Sequence, residues 1–481
     1  MGTAASPTTA GPSALREWVL IAAMTALAHP AALLIGTAVL TAVVALRAWV
    51  PFAWIVLPVL AFTAIPLVTH RPRLTGHAVR PAEEPELTTL VRQVAEGLGF
   101  RFPLLVRIVA EPEVAVLPTR TSGFRTFTLF LGLPLVRRLA AAELAAVMAR
   151  EFADEQHAGG RRTQLLRRAR GSLVDSLEKR FRAPAALAER LLRGSRTHIW
   201  PLALAADADA AAVAGTPGVR GALTKVGTVD AAFHVLGDTW TEVLGEDGDY
   251  PEDLYEALDA ALADPYVAPR LAAAAADDED DPMAIAIEPP LAVRLAALPE
   301  HLGHGWDASS PVPLRDADTL ERRCVRDLVT AHDVPGEPRP VRLLDLAPER
   351  FEASTREAAS RLVHATGQDS VRTAMAAAAD AVADGTWMQL ARALDRETGR
   401  LPRPLRSAAA RAVLVGYLDC VIGGALLRAG WARASRWTSS VLVDPAGALF
   451  DVEELVEHAI ASGDPTRIRE LLPHFTEGAV C

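Results

Sequence analysis

The stretch "MAREFADEQH", residues 148–157, follows the alanine-rich run "LAAAELAAV" at 139–147. Alanine and leucine are strong helix formers and Gly159-Gly160 is a stop signal, so the two stretches predict one helix over about 140–157. Residues four apart on a helix share a face. Arg150 and Asp154 are therefore expected together on one face, with Glu151 beside them.

Composition favours a mainly helical protein of two or three compact units. Of the 481 residues, half are apolar but only 5% are aromatic, so the core must consist mostly of Ala, Leu and Val. The formal net charge of −10 argues against nucleic acid as a partner, because no basic stripe offsets it. Cys324, Cys420 and Cys481 lie far apart, which favours neither a disulfide framework nor a cysteine zinc site and fits a reducing cytoplasm.

Two uncharged apolar runs near the N-terminus predict a transmembrane helical hairpin over 17–70, preceded by a disordered segment, 1–16. The first run, "AALLIGTAVLTAVVAL" at 31–46, is extended upstream by Trp18–Ala28, and the second is "AWVPFAWIVLPVLAFTAIPLV" at 48–68. Each is close to the about 20 residues that cross a bilayer. A signal peptide would have a shorter apolar region and a small-residue cleavage site, and both points disfavour it.

Arginines around the two runs predict the topology. The positive side chains that flank the pair of runs are Arg16, Arg71, Arg73 and Arg80. Only Arg47 lies between the runs. Because positive residues stay on the cytoplasmic side, both ends of the hairpin are expected in the cytoplasm. The sequence thus predicts a multi-pass protein of the cell membrane, with two spans and a cytoplasmic main domain.

The remainder of the chain predicts a mainly α fold with a small β-sheet, of the α+β class. Helical periodicity covers 84–98, and the segments "LLVRIV" (104–109) and "TFTLFLG" (126–132) are rich in β-branched and aromatic residues, as strands are. Further helices are expected at about 161–195 and 197–214.

Composition divides this part into three regions. A first domain is expected over 80–300, followed by a loop-rich connection, 301–345, that is rich in Pro and Asp. Helical periodicity returns in 346–481, which ends in a small strand–turn–strand–helix unit. The apolar stretch "VLVGYLDCVIGGALL" at 413–427 is short and carries Asp419, so we interpret it as a buried helix and not a third span.

Several segments, in order along the chain, resemble the HtpX-like and CAAX-prenyl-protease family of membrane zinc metallopeptidases, in an actinobacterial-type branch. The stretch "LFLGLPLVRRLAAAELAAVMAREF" is similar to the family pattern GLPLLR-LT-xELxAVLAHELGH. The segment "ALAADADAAAVAG" (203–215) resembles ELEADxLAAxVAG, and "EPPLAVRLAAL" (288–298) resembles HPPLxxRIxAL. The resemblance covers most of the chain and implies a gluzincin-like peptidase domain behind the membrane hairpin.

The resemblance assigns a role to each matching position. In the family, two histidines of an H-E-x-x-H helix and a glutamate from a later helix bind zinc, and the glutamate of the motif is the general base. The three ligand positions are occupied here by Arg150, Asp154 and Ala203. The general-base position keeps Glu151, and an expected second-shell carboxylate matches Asp207.

These replacements remove the chemistry that zinc requires. A guanidinium group has no acceptor lone pair and would repel Zn²⁺, and alanine has no donor atom. We expect Arg150 to pair with Asp154 and fill the vacated position. No metal or other cofactor is therefore expected. A rebuilt metal site is the alternative, with Asp154 and His157 as a first pair and further ligands from His198, Asp207 and Asp209.

Three functions remain open from the sequence. The first is a membrane-anchored pseudopeptidase that binds polypeptide segments or a partner protein along an edge strand, for which 126–132 is the candidate. The second is an active membrane zinc endopeptidase with atypical ligands, for which zinc would be the cofactor. The third is a structural membrane subunit. The degenerate motif favours a protein without peptidase activity.

Overall fold

The computed structural model of the chain describes residues 14–29, 75–121, 124–178, 185–244, 248–276, 281, 283–301, 303, 305–331, 338–347 and 352–475. These residues form mainly helices with small sheets, which confirms the predicted mainly α class with a minor β component. Most of the predicted hairpin, and residues 1–13 of the predicted disordered segment, lie outside the described residues.

The elements up to residue 341 are numbered in chain order. The helices are α1 (Ala14–Ala28), α2 (Pro85–Gly97), α3 (Leu133–Arg138), α4 (Ala141–His157), α5 (Arg161–Glu178), α6 (Ala185–Ala214), α7 (Thr216–Val243), α8 (Leu254–Ala263), α9 (Ala268–Ala276), α10 (Leu291–Ala297) and α11 (Ala317–Ala331). The strands are β1 (His77–Ala78), β2 (Leu104–Val109), β3 (Val114–Thr121), β4 (Phe124–Gly132), β5 (Asp249–Pro251) and β6 (Arg339–Val341).

The first helix changes the expected N-terminal boundaries. Helix α1 buries Leu20, Ile21 and Met24 in a small core shared with α5 and α6. The segment Trp18–Ala28, expected to extend the first membrane span into lipid, has one face buried against α5 and α6. Its hydrophobicity alone could not separate these two environments, because a buried face and a lipid face have the same composition. Residues 14–16, predicted to be disordered, are the start of the same helix.

The main sheet has the strand order β1-β2-β4-β3. Strand β2 pairs in parallel with β4, and β3 pairs antiparallel with β4. The predicted strands at 104–109 and 126–132 are confirmed, but the prediction that 126–132 is an edge strand is wrong, because β4 has a partner on each side. The outer strand on this side is β3, which contains Pro118, and proline is tolerated at a sheet edge.

Helix α4 lies against this sheet and is held there by aromatic packing. Phe152 is fully buried, and the centre of its ring lies 4.9 Å from that of Phe100, which in turn lies 5.2 Å from the ring of the sheet residue Phe127. Because Phe152 faces the core, its neighbours Arg150 and Glu151 lie on the part of the helix that turns away from the sheet. The predicted helix over about 140–157 is thus confirmed. The burial of Phe152 determines which way Arg150 and Glu151 point.

The two long helices that follow are divided differently from expectation. The predicted break near 196 is absent from α6, which runs without interruption from Ala185 to Ala214 with Pro201 inside it. The described part of α5 ends at Glu178, and residues 179–184 lie outside the described residues. Helix α6 is packed along its length against α4, α5 and α1, and this tertiary packing outweighs the helix-breaking preference of Pro201.

The region 301–345 is less irregular than predicted. It contains α11, which buries Leu320, Cys324 and Leu328 in the main core. It also contains β6, which pairs in parallel with β5. The prolines that suggested a loop lie outside α11. The helix itself has the apolar periodicity that is typical of a helix.

The C-terminal region forms a second hydrophobic core. Its helices are α12 (Glu352–Thr366), α13 (Val371–Ala383), α14 (Trp387–Leu394), α15 (Arg403–Arg428), α16 (Val452–Ser462) and α17 (Thr466–Glu470), with strands β7 (Ala432–Arg433), β8 (Val441–Val443) and β9 (Leu449–Asp451). The predicted strand–turn–strand–helix unit is confirmed in β8, β9 and α16. Arg270 of α9 joins this region to the first one through Asp451 and, at 3.1 Å, through Glu453.

One helix among the described residues is long and apolar enough to cross a membrane. This helix is α15, and 61% of its most apolar window is buried inside the protein. It packs through Leu414, Leu418 and Ile422 against the other helices of the C-terminal core. Helix α15 thus has the length and composition of a membrane span but packs as a core helix. This packing agrees with the interpretation of 413–427 as a buried helix.

Candidate functional site

The residues that the sequence singled out lie on α4 and α6, two helices that pack against each other. Arg150, Glu151 and Asp154 come from α4, and Ala203 and Asp207 come from α6. Ala203 and Asp207 are one turn apart and both are buried, so the same face of α6 carries them. Arg150 Nε lies 3.3 Å from Asp207 Oδ1, which joins the two helices at this point. Positions more than 50 residues apart in the sequence thus form one site.

The guanidinium group of Arg150 occupies the middle of the site. Besides Asp207, its Nη1 donates to Glu151 Oε1 at 2.6 Å, and its Nη2 donates to Glu288 Oε1. Burial disfavours the charge and lowers the pKa of Arg150, but attraction by these carboxylates, that of Glu288 above all, outweighs the burial and raises the pKa above the ordinary arginine value. Arg150 is therefore a permanently charged side chain surrounded by acids.

Asp154 has a different partner from the expected one. Arg167 of α5 donates to both of its carboxylate oxygens, with Nη2 at 2.7 Å from Oδ1. The prediction that Arg150 pairs with Asp154 is therefore wrong, although both positions belong to the same charged cluster. The reason is geometric: Arg150 reaches across to α6, where Asp207 is already buried, while Asp154 faces the neighbouring helix α5.

Asp207 is the most deeply buried acid of the site. Arg294 of α10 donates to it twice, from Nε to Oδ2 at 2.8 Å and from Nη2 to Oδ1 at 2.7 Å. The same guanidinium group donates through Nη1 to Glu288 Oε2. Glu288 thus accepts from Arg150 with one oxygen and from Arg294 with the other.

Sequence reasoning missed Arg167, Glu288 and Arg294 as members of the site. The last two lie in "EPPLAVRLAAL", a segment that was recognised by its resemblance but given no role. Its first residue is glutamate where the family pattern has histidine. That difference was the available signal for a charge network. Arg167 had no comparable signal, because α5 contains several other arginines.

Glu151 is the one residue of the site with an acid–base property near neutrality. Burial raises the pKa of Glu151 to about 7, although the adjacent Arg150 guanidinium acts to lower it. Its side chain is 18% exposed, so solvent still reaches the carboxylate. A carboxylate with this pKa could accept a proton at neutral pH, but acting on a substrate would also require a nucleophile that it could activate.

The residues at the site do not fit a zinc ion. Two of the three ligand positions, Arg150 and Ala203, offer no donor atom, and Asp154 is bound by Arg167. Of the candidates for a rebuilt site, His157 and Asp209 pair with each other at 2.8 Å, whereas Asp207 is bound by Arg294. Among the residues that the structure describes, no group of three or more His, Cys, Asp or Glu side chains is placed to hold a metal ion.

The last of those candidates, His198, belongs to another part of α6. Its buried imidazole lies 3.4 Å from Glu17 of α1. It therefore contributes to the contact between α1 and α6 and not to the cluster around Arg150.

A cavity of about 250 Å³ opens directly beside the charged cluster. It lies between α4, α7, α9 and α10. Its charged lining residues are Arg150, Glu288 and Arg294, and the others are uncharged: Ala146, Val147, Val219, Ala222, Leu223, Val226, Gly227, Ala275, Pro289 and Leu291. The cavity thus has one charged end and an aliphatic wall.

Comparison with known proteins adds no assignment: no family model, no curated protein and no solved structure matches the chain.

Proposed function

We propose that the chain is a membrane-anchored pseudopeptidase of HtpX-like fold, with a gluzincin-like domain that binds protein segments without cleaving them. The observation that carries the proposal is the contact of Arg150 with both Glu151 and Asp207. The resemblance assigned these three positions to one metal centre before their geometry was known. The contact between these three side chains supports an architecture shared with the metallopeptidases. The presence of arginine at position 150 supports the loss of the metal.

The charges explain why hydrolysis is not expected from this arrangement. Zinc lowers the pKa of its bound water from about 15.7 to about 7, which supplies the nucleophile of a metallopeptidase. A guanidinium group at the same place supplies neither a ligand position nor that acidity. Glu151 then has no activated water to deprotonate. The site retains a general-base position without the reaction it served.

A membrane hairpin within 31–68, with the main domain in the cytoplasm, is part of the proposal. Helix α1 comes before the uncharged runs and packs on α5 and α6, while β1 comes after them and pairs with β2. Both ends of the intervening segment therefore attach to the same folded body. This attachment favours an even number of crossings, and the arginine distribution favours the cytoplasmic side.

The proposed protein-binding surface is the edge of the main sheet. Strand β3, and not the expected 126–132, is the outer strand, and its main chain can add an extended segment by hydrogen bonding. Leu117 on this strand is 38% exposed and would contact such a segment. The proposed binding partner is therefore a polypeptide in extended conformation, from a membrane protein or from a soluble protein.

The metal content of the purified full-length protein tests the proposal. Elemental analysis of the detergent-solubilised chain, after incubation with zinc and dialysis into zinc-free buffer, should give well under one zinc per chain. Stoichiometric zinc that is lost in an Asp154→Ala variant would instead establish the active metallopeptidase with atypical ligands. A reporter joined to the C-terminus tests the topology, since two spans with both ends in the cytoplasm place the C-terminus there.

Photo-crosslinking tests the binding surface. A photoreactive amino acid at Leu117 should form adducts with polypeptide in intact cells, and an excess of one purified extended peptide should compete. The control is the same substitution at Leu449, which is 57% exposed but lies in the C-terminal region. Equal labelling at both positions would show that β3 has no special affinity for polypeptide.

A further inference from the structure

The cavity beside the vacated site has a particular division of charge. Arg150, Glu288 and Arg294 meet at one end of it, and the rest of its lining is aliphatic or small. Such a cavity matches a ligand that has one charged group and an apolar body. The sign of that charge follows from the arrangement of the three side chains.

Glu288 is held between two arginines as a carboxylate in a clamp. Its Oε1 accepts from Arg150 and its Oε2 accepts from Arg294, so each oxygen has its own guanidinium partner. The two arginine side chains are 15% and 9% exposed, whereas the side chain of Glu288 is 40% exposed. The clamp is therefore built into the protein, and its occupant lies at the surface.

We infer that Arg150 and Arg294 form a binding site for a carboxylate with a short aliphatic body, and that Glu288 is the internal competitor that occupies this site in the free protein. The inference deepens the proposed function and rests on it in one respect, because it names what a site without metal would bind. The established contacts of Arg150 with Glu151 and Asp207 are unchanged by it.

The geometry favours exchange of one carboxylate for another. Asp207 contacts both guanidinium groups, at 3.3 Å from Arg150 Nε and 2.7 Å from Arg294 Nη2. The two arginines therefore stay in place when Glu288 leaves. Glu288 can rotate into water, since its side chain is already 40% exposed, and the incoming carboxylate replaces its hydrogen bonds to the two arginines. A neutral ligand would leave two buried guanidinium groups without their shared partner, and a cation would be repelled.

The size of the cavity limits the ligand. Its volume of about 250 Å³ is smaller than the roughly 300–1,000 Å³ of pockets for drug-sized molecules. A leucine-sized side chain or a short acyl chain fits such a space, lying against Val147, Val219 and Leu223. Two sources supply this chemistry: the C-terminal residue of a polypeptide, and a free short-chain fatty acid.

Titration calorimetry on the full-length protein in detergent tests the inference with three probes. N-acetyl-leucine carries the carboxylate and the side chain of a chain terminus, hexanoate carries the carboxylate on an acyl chain, and N-acetyl-leucinamide has no charge. At least one acid should bind. The amide should bind with an affinity at least about tenfold lower, which corresponds to a loss of about 1.4 kcal/mol of binding free energy. The acid that binds more tightly identifies the source.

The decisive variant is Glu288→Gln, which keeps the size of the side chain and removes the competing charge. Because Glu288 is partly exposed, the variant should fold, and it should bind the acid about tenfold more tightly than the natural protein. Glu357→Gln is the matched control, since Glu357 is 58% exposed and pairs with Arg361 far from the cavity. It should leave the affinity unchanged.

Three results would overturn the inference: no binding of any probe to the Glu288→Gln protein, equal binding of acid and amide, or equal affinity in the variant and the natural protein. Val147→Phe, which fills the aliphatic wall, should weaken binding of the acid, and unchanged binding would place the ligand elsewhere. The zinc measurement is independent of all these results. A protein without zinc and without acid binding would retain the pseudopeptidase proposal and lose only this ligand.

Discussion

Arg294 donates two hydrogen bonds to the carboxylate of Asp207, at 2.8 Å and 2.7 Å, and both side chains are buried. A pair of this kind is costly to separate, because removing one partner leaves the other as an uncompensated charge inside the protein. The pair joins α10 to α6 at the charged cluster. It is therefore a structural element of the site as well as part of its electrostatics.

Breaking this pair should destabilise the first region strongly. Arg294→Met is expected to lower the free energy of unfolding by roughly 3–5 kcal/mol, since it leaves Asp207 buried with Arg150 as its remaining cation. In the double variant Arg294→Met, Asp207→Asn, much of that loss should be recovered because the buried charge is gone. Melting temperatures of the two variants and of Asp207→Asn alone measure the coupling. Additive losses would mean that the two side chains act independently.

The raised pKa of Glu151 gives a stability that depends on pH. Burial, the largest cause, raises the pKa from 4.5 to about 7, so the folded protein binds a proton that the unfolded chain has released between these values. The contribution of Glu151 to stability is therefore full below pH 4.5 and decreases as the pH rises towards 7, by at most roughly 3 kcal/mol.

Glu151→Gln mimics the protonated side chain and should remove that dependence. The melting temperature of the variant, compared with the natural protein at pH 5, 6, 7 and 8, should show the smallest advantage at pH 5 and the largest at pH 8. Other groups titrate in this range in both proteins and cancel in the comparison. A difference that is constant across the series would mean that Glu151 has an ordinary pKa.

The elements of this fold were predictable where local chemistry decides them. The helix from Ala141 to His157 follows from alanine content and a Gly-Gly stop, and the strands at 104–109 and 126–132 follow from β-branched and aromatic residues. The order of those strands did not follow, because it depends on "VAVLPTRT", in which Pro118 argues against a strand from sequence alone.

The membership of the site was predictable in part, and its pairing less so. Arg150, Glu151 and Asp207 were singled out in the sequence and meet in the structure, since spacing along each helix determines which side chains share a face. The partner of Asp154 could not be predicted, because the position of α5 relative to α4 depends on packing between distant segments. Long-range ion pairs of this kind leave no periodic signal in the sequence.

Arg170 provides the support under the loop that carries Glu288. It is 1% exposed, and its guanidinium group donates to the main-chain oxygens of Ala284, Ile285 and Ala286 at 2.5 Å, 2.9 Å and 2.9 Å. Ala284 has a φ of 57°, in the left-handed region that residues with a Cβ avoid. The arginine thus holds a strained turn close to the clamp.

Removing this support should loosen the turn before it unfolds the protein. Arg170→Met is expected to lower the melting temperature, with a loss of roughly 2–4 kcal/mol, since several buried carbonyl groups lose their donor. Hydrogen exchange in residues 283–288 should accelerate more than in α6. Arg168→Met, at an exposed position of the same helix, is the control and should change neither quantity. Unchanged exchange in the turn would assign its conformation to other contacts.

Restoring the ligands tests whether the site descends from a metal centre. Arg150→His, Asp154→His and Ala203→Glu together supply the three zinc ligands of the family, with Glu151 still in the general-base position. Arg167 lies within hydrogen-bonding distance of the side chain at 154 and would repel the ion, so Arg167→Gln is added as a fourth change.

The fourfold variant should take up one zinc per chain, the threefold variant should bind it more weakly, and Arg150→His alone should not retain it through dialysis. Peptidase activity need not return, because Arg294 and Glu288 still shape the surroundings of the metal. Elemental analysis gives the zinc content, and the melting temperature shows whether each variant is folded. A folded fourfold variant without zinc would mean that α4 and α6 do not have the geometry of a metallopeptidase centre, and the pseudopeptidase proposal would lose its basis.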